Sequence, residues 1–244
     1  MSINKSYREQ AVVEAIAKAL DRYYTSLIEK VDGLNIKKIM KRKNPYLFRA
    51  KAVNGAAQIV DAILAAFISS SEETVFGNEF FEPIAIAAVQ GQKALAEGVD
   101  IMVEQDDTIY AIAVKSGTSV FNADSRKKQE QNFMAAGKLA QQARKRFVPL
   151  VGYGYGKKKI SGKGRPKFYG ELAGKEFWAE LTGDDEFYIK LIRLMDKLPE
   201  KYVEDFDKAY QKAANRLVRE FTVEFCFEDG SIDWEKLVKF NSGD

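Results

Sequence analysis

The feature that most constrains the fold of this chain is a pair of short, mainly apolar stretches, Gly98–Val103 and Ile109–Gly117. The polar segment between them contains the consecutive aspartates Asp106 and Asp107. Aspartate is favoured in tight turns because its side chain bonds to nearby backbone and tolerates a left-handed conformation. We therefore predict a β-hairpin that has these two aspartates in its turn.

The register of this hairpin decides which side chains are neighbours. A two-residue turn pairs Gln105 with Thr108, and counting back from that pair places Asp100 opposite Ala113. Side chains alternate between the two faces of a strand, so Asp100, Ala113 and Lys115 are predicted to share one face. The sequence thus predicts a carboxylate close to a lysine, with a methyl group two residues before that lysine.

The absence of histidine excludes several kinds of catalytic site. Ser-His-Asp catalysis, Cys-His catalysis and histidine-ligated metals all need a residue that this chain lacks. Carboxylates, Lys, Tyr, Ser or a bound metal remain as candidates for catalysis. Mg²⁺ prefers oxygen ligands and commonly takes one or two protein carboxylates with waters and substrate phosphate. A site built on Asp100 would fit that preference.

Size and composition predict a single globular domain. The chain has 244 residues, of which 46% are hydrophobic, enough to bury one substantial core. Its net charge of +3 is too small to indicate a nucleic-acid partner by itself. The apolar stretches are too short to span a bilayer, and the single cysteine, Cys226, allows no internal disulfide. We expect a cytoplasmic protein without a membrane partner, and we interpret Cys226 as a buried structural thiol.

Helical periodicity predicts helices on both sides of the hairpin. We place them, in chain order, at Val13–Leu27, Gln58–Ile68, Val75–Leu95 and Asn122–Arg146. A buried strand is predicted at Phe147–Gly152, and the chain beyond residue 184 is predicted to be mostly helical. This order of elements indicates the α/β (α+β) class, with a small mixed sheet flanked by helices.

Local signals modify the second and third of these helices. Ser70 and Glu73 have capping-box spacing, so we interpret Glu72 and Glu73 as structural residues at a helix start. Pro83 disfavours helical backbone at the residue before it, so the third helix is expected to kink or restart near Glu82. A carboxylate at such a break would reach into a site beside the sheet. A solvated glutamate on an amphipathic helix is the alternative.

Basic side chains concentrate in segments that are candidates for contact with DNA. Residues 35–51 contain no acidic residue and interleave Tyr46 and Phe48 with lysine and arginine. Residues 152–159 alternate glycine and tyrosine before three lysines, but lack the Gly-Lys-Ser/Thr of a phosphate-binding loop. The predicted DNA contacts are Lys41, Arg42, Lys43, Arg49, Lys127, Lys128, Lys157, Lys158 and Lys159. Ordinary solvated surfaces have the same composition, so that alternative stays open.

Five short motifs follow one another over much of the chain. They are Lys43–Lys51, Ser70–Gly77, Gly98–Asp100, Ala113–Gly117, and Tyr155-Gly156 followed by Gly174–Trp178. In this order they resemble the PmeII-like type II restriction endonucleases, within the PD-(D/E)XK nuclease superfamily. The resemblance implies an endonuclease that uses Mg²⁺, with Mn²⁺ as a substitute, and recognises a short sequence of double-stranded DNA as a homodimer.

The same resemblance implies how the chain is organised. We expect a restriction-endonuclease-like core with helical N- and C-terminal additions, all within one domain of residues 1–244. A helical N-terminal region with a basic segment would occupy residues 1–70. The nuclease core would occupy residues 71–160, and a mostly helical C-terminal region residues 161–244.

The resemblance also implies roles for particular residues. Asp100 corresponds to the metal-binding aspartate and Lys115 to the catalytic lysine. The superfamily's usual carboxylate two residues before that lysine is replaced by Ala113. Relatives often take a glutamate from the helix before the sheet, so Glu82 is the expected second carboxylate, with Glu79 in reserve. Glu73 is a further alternative for this role.

The implied mechanism is hydrolysis of a phosphodiester bond. Asp100 and Glu82 would hold Mg²⁺ together with the backbone carbonyl of Val114 and a phosphate oxygen, while Lys115 would orient the attacking water. Two alternatives remain. One is a repair or recombination nuclease of the same fold, and the other is a DNA-binding relative without catalysis, if Ala113 marks a lost site.

Overall fold

The computed structural model describes Ile3, residues 7–158 and residues 168–243, which form ten helices and five strands. The helices are α1 (Glu9–Asp32), α2 (Ile36–Met40), α3 (Pro45–Ala50), α4 (Ala56–Glu79), α5 (Phe81–Val89), α6 (Ala123–Gln142), α7 (Lys175–Thr182), α8 (Phe187–Met195), α9 (Glu200–Phe225) and α10 (Trp234–Ser242). The strands are β1 (Gln92–Lys93), β2 (Ile101–Gln105), β3 (Thr108–Lys115), β4 (Arg146–Tyr153) and β5 (Gly170–Ala173).

The chain divides into two compact units. The described residues of Met1–Arg22 and Phe76–Pro199 form the first unit, and those of Tyr23–Val75 and Glu200–Asp244 form the second. The first unit contains the whole sheet and almost all of the predicted core region 71–160. None of the helices in the described part of the chain is long and apolar enough to cross a bilayer.

The first unit is built on a mixed sheet with the strand order β1-β2-β3-β4-β5. The β1–β2 and β2–β3 pairs are antiparallel, whereas β3–β4 and β4–β5 are parallel. Parallel neighbours need a crossover connection, and α6 supplies it between β3 and β4. The predicted α/β class, with a small mixed sheet flanked by helices, is confirmed.

One face of the sheet is covered by α6. Ala111 and Ala113 of β3 and Val151 of β4 form a buried cluster with Phe133 and Ala136 of α6. Small side chains on the central strand leave room for the Phe133 ring, which is completely buried. The period-two alternation predicted for β3 therefore produces this packed face.

The opposite face is shaped by two glycines of the β4 segment. A Cβ atom at Gly152 would lie 1.9 Å from the Phe177 ring, and one at Gly154 would lie 2.3 Å from the Phe81 ring. Only glycine therefore permits α5 and α7 to approach this closely. The indole Nε1 of Trp178 donates a 2.8 Å hydrogen bond to the carbonyl of Gly154. Phe177 and Trp178 are buried.

The helix start predicted at Ser70 is wrong. Helix α4 runs without a break through this position, and the Thr74 hydroxyl donates a 3.0 Å bond to the Ser70 carbonyl, as is usual inside a helix. The reason is packing, since buried positions recur along the helix from Ile59 through Ser71 to Val75. Burial of that stripe outweighs a local capping signal.

The helix predicted at Val75–Leu95 is divided. Helix α5 begins anew at Phe81, and Pro83 lies in its first turn, where the missing N–H has no intrahelical partner to lose. The predicted restart near Glu82 is confirmed. The extension to Leu95 is wrong, because α5 ends at the left-handed Gln90 (φ 51°) and β1 follows.

The second unit has a helical core. Ile59 and Ile63 of α4 pack with Leu217, Phe221 and Phe225 of α9, and all five side chains are buried. Cys226 borders this core. It is half-buried, which corrects the prediction of a buried thiol, and burial raises its pKa.

Candidate active site

The hairpin that carries the predicted site has the expected register. Gln105 pairs with Thr108 across the turn. Extending the β2–β3 pairing by one residue places Asp100 opposite Ala113, and the Asp100 N–H donates a 2.9 Å bond to the Ile112 carbonyl. Backbone hydrogen bonding therefore fixes the position of Asp100 beside β3, independently of the contacts that its side chain makes.

The Asp100 carboxylate is held by two donors from the end of β3. Its Oδ2 accepts the N–H of Val114 at 2.6 Å and lies 3.3 Å from Nζ of Lys115. The Asp100 and Lys115 side chains are 20% and 29% exposed, so both are accessible from one side. This arrangement places a fixed carboxylate and an ammonium group at the edge of the sheet, within reach of a substrate in solvent.

Glu82 belongs to the same neighbourhood through Lys93. Nζ of Lys93 lies 2.9 Å from Oε1 of Glu82. The hydrogen bond with Glu82 raises the pKa of Lys93, and the charge of Asp100 acts in the same direction. Two carboxylates therefore act on one ammonium group. Lys93 was not predicted, because a lone lysine in a strand of two residues gives no indication of a functional role unless its partners in the fold are known.

The reserve glutamates have other partners. Oε2 of Glu79 forms a 2.9 Å ion pair with Arg22. Burial raises the pKa of Tyr23 to about 12, and the charges of Glu72 and Glu73 act in the same direction. Glu82 is the glutamate whose basic partner, Lys93, is also influenced by the charge of Asp100.

Ala113 occupies the position where the superfamily pattern has a carboxylate. Its side chain is completely buried in the apolar cluster with Phe133 and Val151. A carboxylate would be removed from water at this position. A small apolar side chain such as that of Ala113 therefore suits this buried apolar position.

The donor groups permit a simple test of whether a divalent ion fits. Within the described ranges, no three His, Cys, Asp or Glu side chains are grouped closely enough to hold a metal ion. Two carboxylates are nevertheless what Mg²⁺ commonly takes from a protein, because waters and substrate phosphate complete its six ligands. Each of these two carboxylates is paired with a lysine, Asp100 with Lys115 and Glu82 with Lys93. The chemistry of the two donors is of the kind that suits a Mg²⁺ that keeps most of its waters.

A second charged cluster lies on the same face of the sheet as Lys115. Glu171 of β5 is nearly buried, and its Oε1 accepts the Tyr153 hydroxyl at 2.7 Å and pairs with Lys158 at 2.9 Å and Arg126 at 3.3 Å. Tyr153 is the register partner of Lys115 on the next strand. Burial and the Glu171 hydrogen bond raise the pKa of Tyr153. The sequence analysis missed Glu171, since β5 has only four residues.

The predicted DNA contacts fall in both units. Those of the second unit, on or next to α2 and α3, are Lys41, Arg42, Lys43 and Arg49, and those of the first unit are Lys127, Lys128, Lys157 and Lys158. All are exposed except Lys43 and Lys158, which are half-buried. Lys159 lies outside the described residues. Lys158 is engaged with Glu171, and Lys128 pairs with Glu97 at 3.1 Å, so their charges are partly neutralised.

Fold and site together define a class of protein. A five-stranded mixed sheet flanked by helices, with an aspartate and a lysine meeting on its central hairpin, is consistent with a restriction-endonuclease-like core. A family model for the type II restriction endonuclease EcoO109I matches residues 10–202, most of the chain. The protein therefore belongs to this family of type II restriction endonucleases. A comparison with curated proteins finds no match. The predicted type II restriction endonuclease family is confirmed, whereas the PmeII-like assignment stays a prediction.

Proposed function

We propose that this protein is a Mg²⁺-dependent endonuclease of the PD-(D/E)XK type, similar to the PmeII-like enzymes, that cuts double-stranded DNA at a specific sequence. The observation that carries the proposal is the 3.3 Å contact between Lys115 and Asp100 at the end of the central hairpin. In a restriction-enzyme family, such a pair at an accessible strand end has the chemistry required at a scissile phosphate. Mn²⁺ is proposed to substitute for Mg²⁺.

Each residue of the proposed site has a distinct task. Asp100 and Glu82 would hold the Mg²⁺, which when bound supplies an acidified water and positive charge beside the phosphate. The Val114 N–H fixes the orientation of the Asp100 carboxylate through its 2.6 Å bond. The Lys115 ammonium would orient the attacking water and stabilise negative charge that develops on the phosphate.

The proposal includes the partners of the enzyme. Exposed basic residues of both units, among them Lys41, Arg42, Lys127 and Lys157, would contact the DNA backbone. One proposed active site per chain acts on one strand, so cleavage of both strands favours a homodimer. We propose that it acts on DNA in the cytoplasm.

A cleavage assay tests this function. The purified protein is incubated with long duplex DNA of known sequence and Mg²⁺, and the fragment ends are mapped. Discrete fragments that end at one common sequence, and that disappear when EDTA is added, are expected. Cleavage only at junctions or damaged sites would instead identify a repair or recombination nuclease.

A second candidate function is favoured by Ala113. The missing carboxylate at this buried position would suit a DNA-binding relative that has lost catalysis. This candidate predicts that DNA stays intact with Mg²⁺ or Mn²⁺ at every salt concentration and pH, although the protein binds it. Fragmentation of the DNA by wild-type protein, and none by the Asp100→Asn variant, would exclude the candidate.

A further inference from the structure

A groove with an aromatic wall lies in the first unit. Its volume is about 900 Å³, which is within the usual range for small-ligand sites. Phe76, Phe80 and Phe81 form part of its lining, and the rings of Tyr155 and Tyr188 add partly exposed aromatic surface. Tyr155 is 51% exposed, and its ring centroid lies 6.1 Å from that of Phe81. One side of the Tyr155 ring is thus supported by protein while much of its surface is open.

The groove begins on the segment that follows β4, which is hydrogen-bonded to the end of the strand that carries Lys115. The Gly154 N–H donates a 2.8 Å bond to the Lys115 carbonyl, and the Tyr155 N–H donates a 3.0 Å bond to the Ser116 carbonyl. Gly154 and Tyr155 line the groove. The groove wall therefore begins immediately beyond the candidate active site, and backbone hydrogen bonds fix the distance between the two.

The floor of the groove is narrow because two backbone segments meet there. Gly156 and Gly174 both have positive φ angles, +97° and +52°. A Cβ atom at Gly174 would lie 2.6 Å from the Gly156 carbonyl oxygen, so a larger residue would force the segments apart. Both glycines line the groove. The backbone therefore fixes the shape of this part of the groove.

The charge of the groove is positive. Among the described residues of its lining, Lys157 and Lys175 stand against one acidic residue, Glu176. Lys158 also lines the groove, but its charge is partly neutralised by Glu171. Lys157 and Lys175 are exposed. An aromatic wall with lysines beside it is the combination that binds an unstacked base together with its phosphate. A purely apolar ligand would gain nothing from the lysines.

We infer that this groove holds one unstacked nucleotide of the DNA, with its base against Tyr155 and its phosphate beside Lys157 and Lys175. The inference rests on the proposed function, because it takes DNA as the substrate. Enzymes that do chemistry on a base place the extruded base between aromatic or apolar side chains, and proteins that bind single strands stack bases on aromatic rings, since every base offers a π face. The groove would thereby anchor the strand next to the scissile phosphate.

The test compares two short duplexes by fluorescence anisotropy. One carries a single unpaired nucleotide, and the other is fully paired; EDTA prevents cleavage. The wild type is expected to bind the duplex with the unpaired nucleotide about tenfold more tightly, because stacking on an aromatic ring contributes this much per base.

Matched variants test whether the groove causes the tighter binding of the duplex with the unpaired nucleotide. Tyr155→Ala and Ile192→Glu, both in the groove lining, are expected to abolish it, whereas Tyr155→Phe keeps the ring and the preference. The controls Phe227→Ala and Val223→Glu change side chains of the second unit that are 55% and 77% exposed, and they are expected to behave like the wild type. Ile192 is 71% exposed, so its substitution leaves the fold intact even if Tyr155→Ala does not.

The outcomes separate this inference from the function on which it rests. Equal affinity for both duplexes, or a preference that survives in Ile192→Glu, overturns the groove assignment and leaves the endonuclease proposal standing. Failure to bind either duplex overturns both.

Discussion

Nζ of Lys115 lies 3.3 Å from Oδ2 of Asp100, although the two residues are 15 positions apart in the chain. The hairpin turn brings them together, and the Val114 N–H holds the same Oδ2 at 2.6 Å. Both donors come from consecutive residues of one strand, so the carboxylate is oriented by a rigid element. A site of this construction should lose its chemistry on substitution without losing its shape.

Substitution of Asp100 or Lys115 tests this directly. Asp100→Asn keeps an oxygen that accepts the Val114 N–H, and Lys115→Met keeps the length of the side chain, so the fold should persist. We expect each variant to cut DNA at least about 10²–10³-fold more slowly, because an oriented charge at the reacting phosphate is lost. Single-turnover cleavage measures the rate, and binding in EDTA should stay near that of the wild type. The control is Asp107→Asn, an exposed aspartate in the turn of the same hairpin.

The second carboxylate is tested by comparing two glutamates of similar surroundings. Glu82→Gln should weaken binding of Mn²⁺, measured by calorimetry, and abolish cleavage, because Glu82 is the proposed second carboxylate of the metal site. Glu79→Gln should change neither property, since Glu79 is paired with Arg22. Full cleavage by the Glu82→Gln variant would move the role to Glu79 or to Glu73.

The hairpin was predictable because its signals are local. A two-residue turn demands unusual backbone angles, and Asp106 adopts φ 51°, a conformation that aspartate tolerates. Alternation along β3 then fixes which side chains share a face. Asp100 and Lys115 could therefore be placed together without knowledge of the rest of the molecule.

The remainder of the site depends on contacts between distant segments. The position of Glu82 follows from the restart of α5 after α4, and its pairing with Lys93 follows from the antiparallel β1–β2 contact. The capping signal at Ser70 was misleading, because burial along α4 stabilises a continuous helix. Glu171 could not be predicted, because the four residues of β5 are too few to show the alternation of apolar and polar residues that indicates a strand.

If the basic segment of the second unit contacts DNA, its lysine and arginine side chains should contribute to the salt dependence of DNA binding. Reversing Lys41 and Arg42 to glutamate should weaken DNA binding and reduce the slope of log K against log salt by about 2, since each lost phosphate contact changes it by about 0.9. Filter binding at several salt concentrations measures the slope. The control reverses two exposed lysines of α9, Lys208 and Lys212, and should leave the slope near that of the wild type. Equal slopes for both double variants would remove Lys41 and Arg42 from the interface.

Asp184 gives the fold a dependence on acid pH. A hydrogen bond from Lys190 lowers the pKa of Asp184 below its ordinary 3.8, and its carboxylate also accepts the Glu186 N–H at 2.9 Å and the Tyr7 hydroxyl at 3.2 Å. A lowered pKa in the folded state stabilises the fold above the ordinary pKa and ceases to do so as the pH falls through the folded value.

Asp184→Asn should therefore destabilise the protein by about 1 kcal/mol near neutral pH, a modest figure because Lys190 is partly exposed. The difference from the wild type should shrink as the pH falls below about 4. Urea unfolding at several pH values measures it. Asp185→Asn, at the exposed neighbouring position, should show no such trend. A constant difference at all pH values would mean that the carboxylate charge is not what stabilises this turn.

Ala113 provides the sharpest test of how this site departs from the PD-(D/E)XK pattern that we propose for it. If the missing carboxylate were a simple loss, Ala113→Glu would restore it and increase cleavage. The structure predicts the opposite. Ala113 is completely buried against apolar side chains, among them Phe133 and Val151, so a glutamate would overpack the cluster and remove a charge from water.

We expect Ala113→Glu to lower the free energy of unfolding by about 3 kcal/mol or more without raising the cleavage rate. Urea unfolding and single-turnover cleavage give the two quantities. The matched control is Ala135→Glu on the exposed side of α6, which should be nearly neutral in both. A stable Ala113→Glu variant that cuts faster than the wild type would show that this face opens to the site and that Glu82 is dispensable. In a protein that cleaves DNA, a destabilised variant with no gain in rate would agree with a second carboxylate from outside β3, as the Glu82 assignment requires.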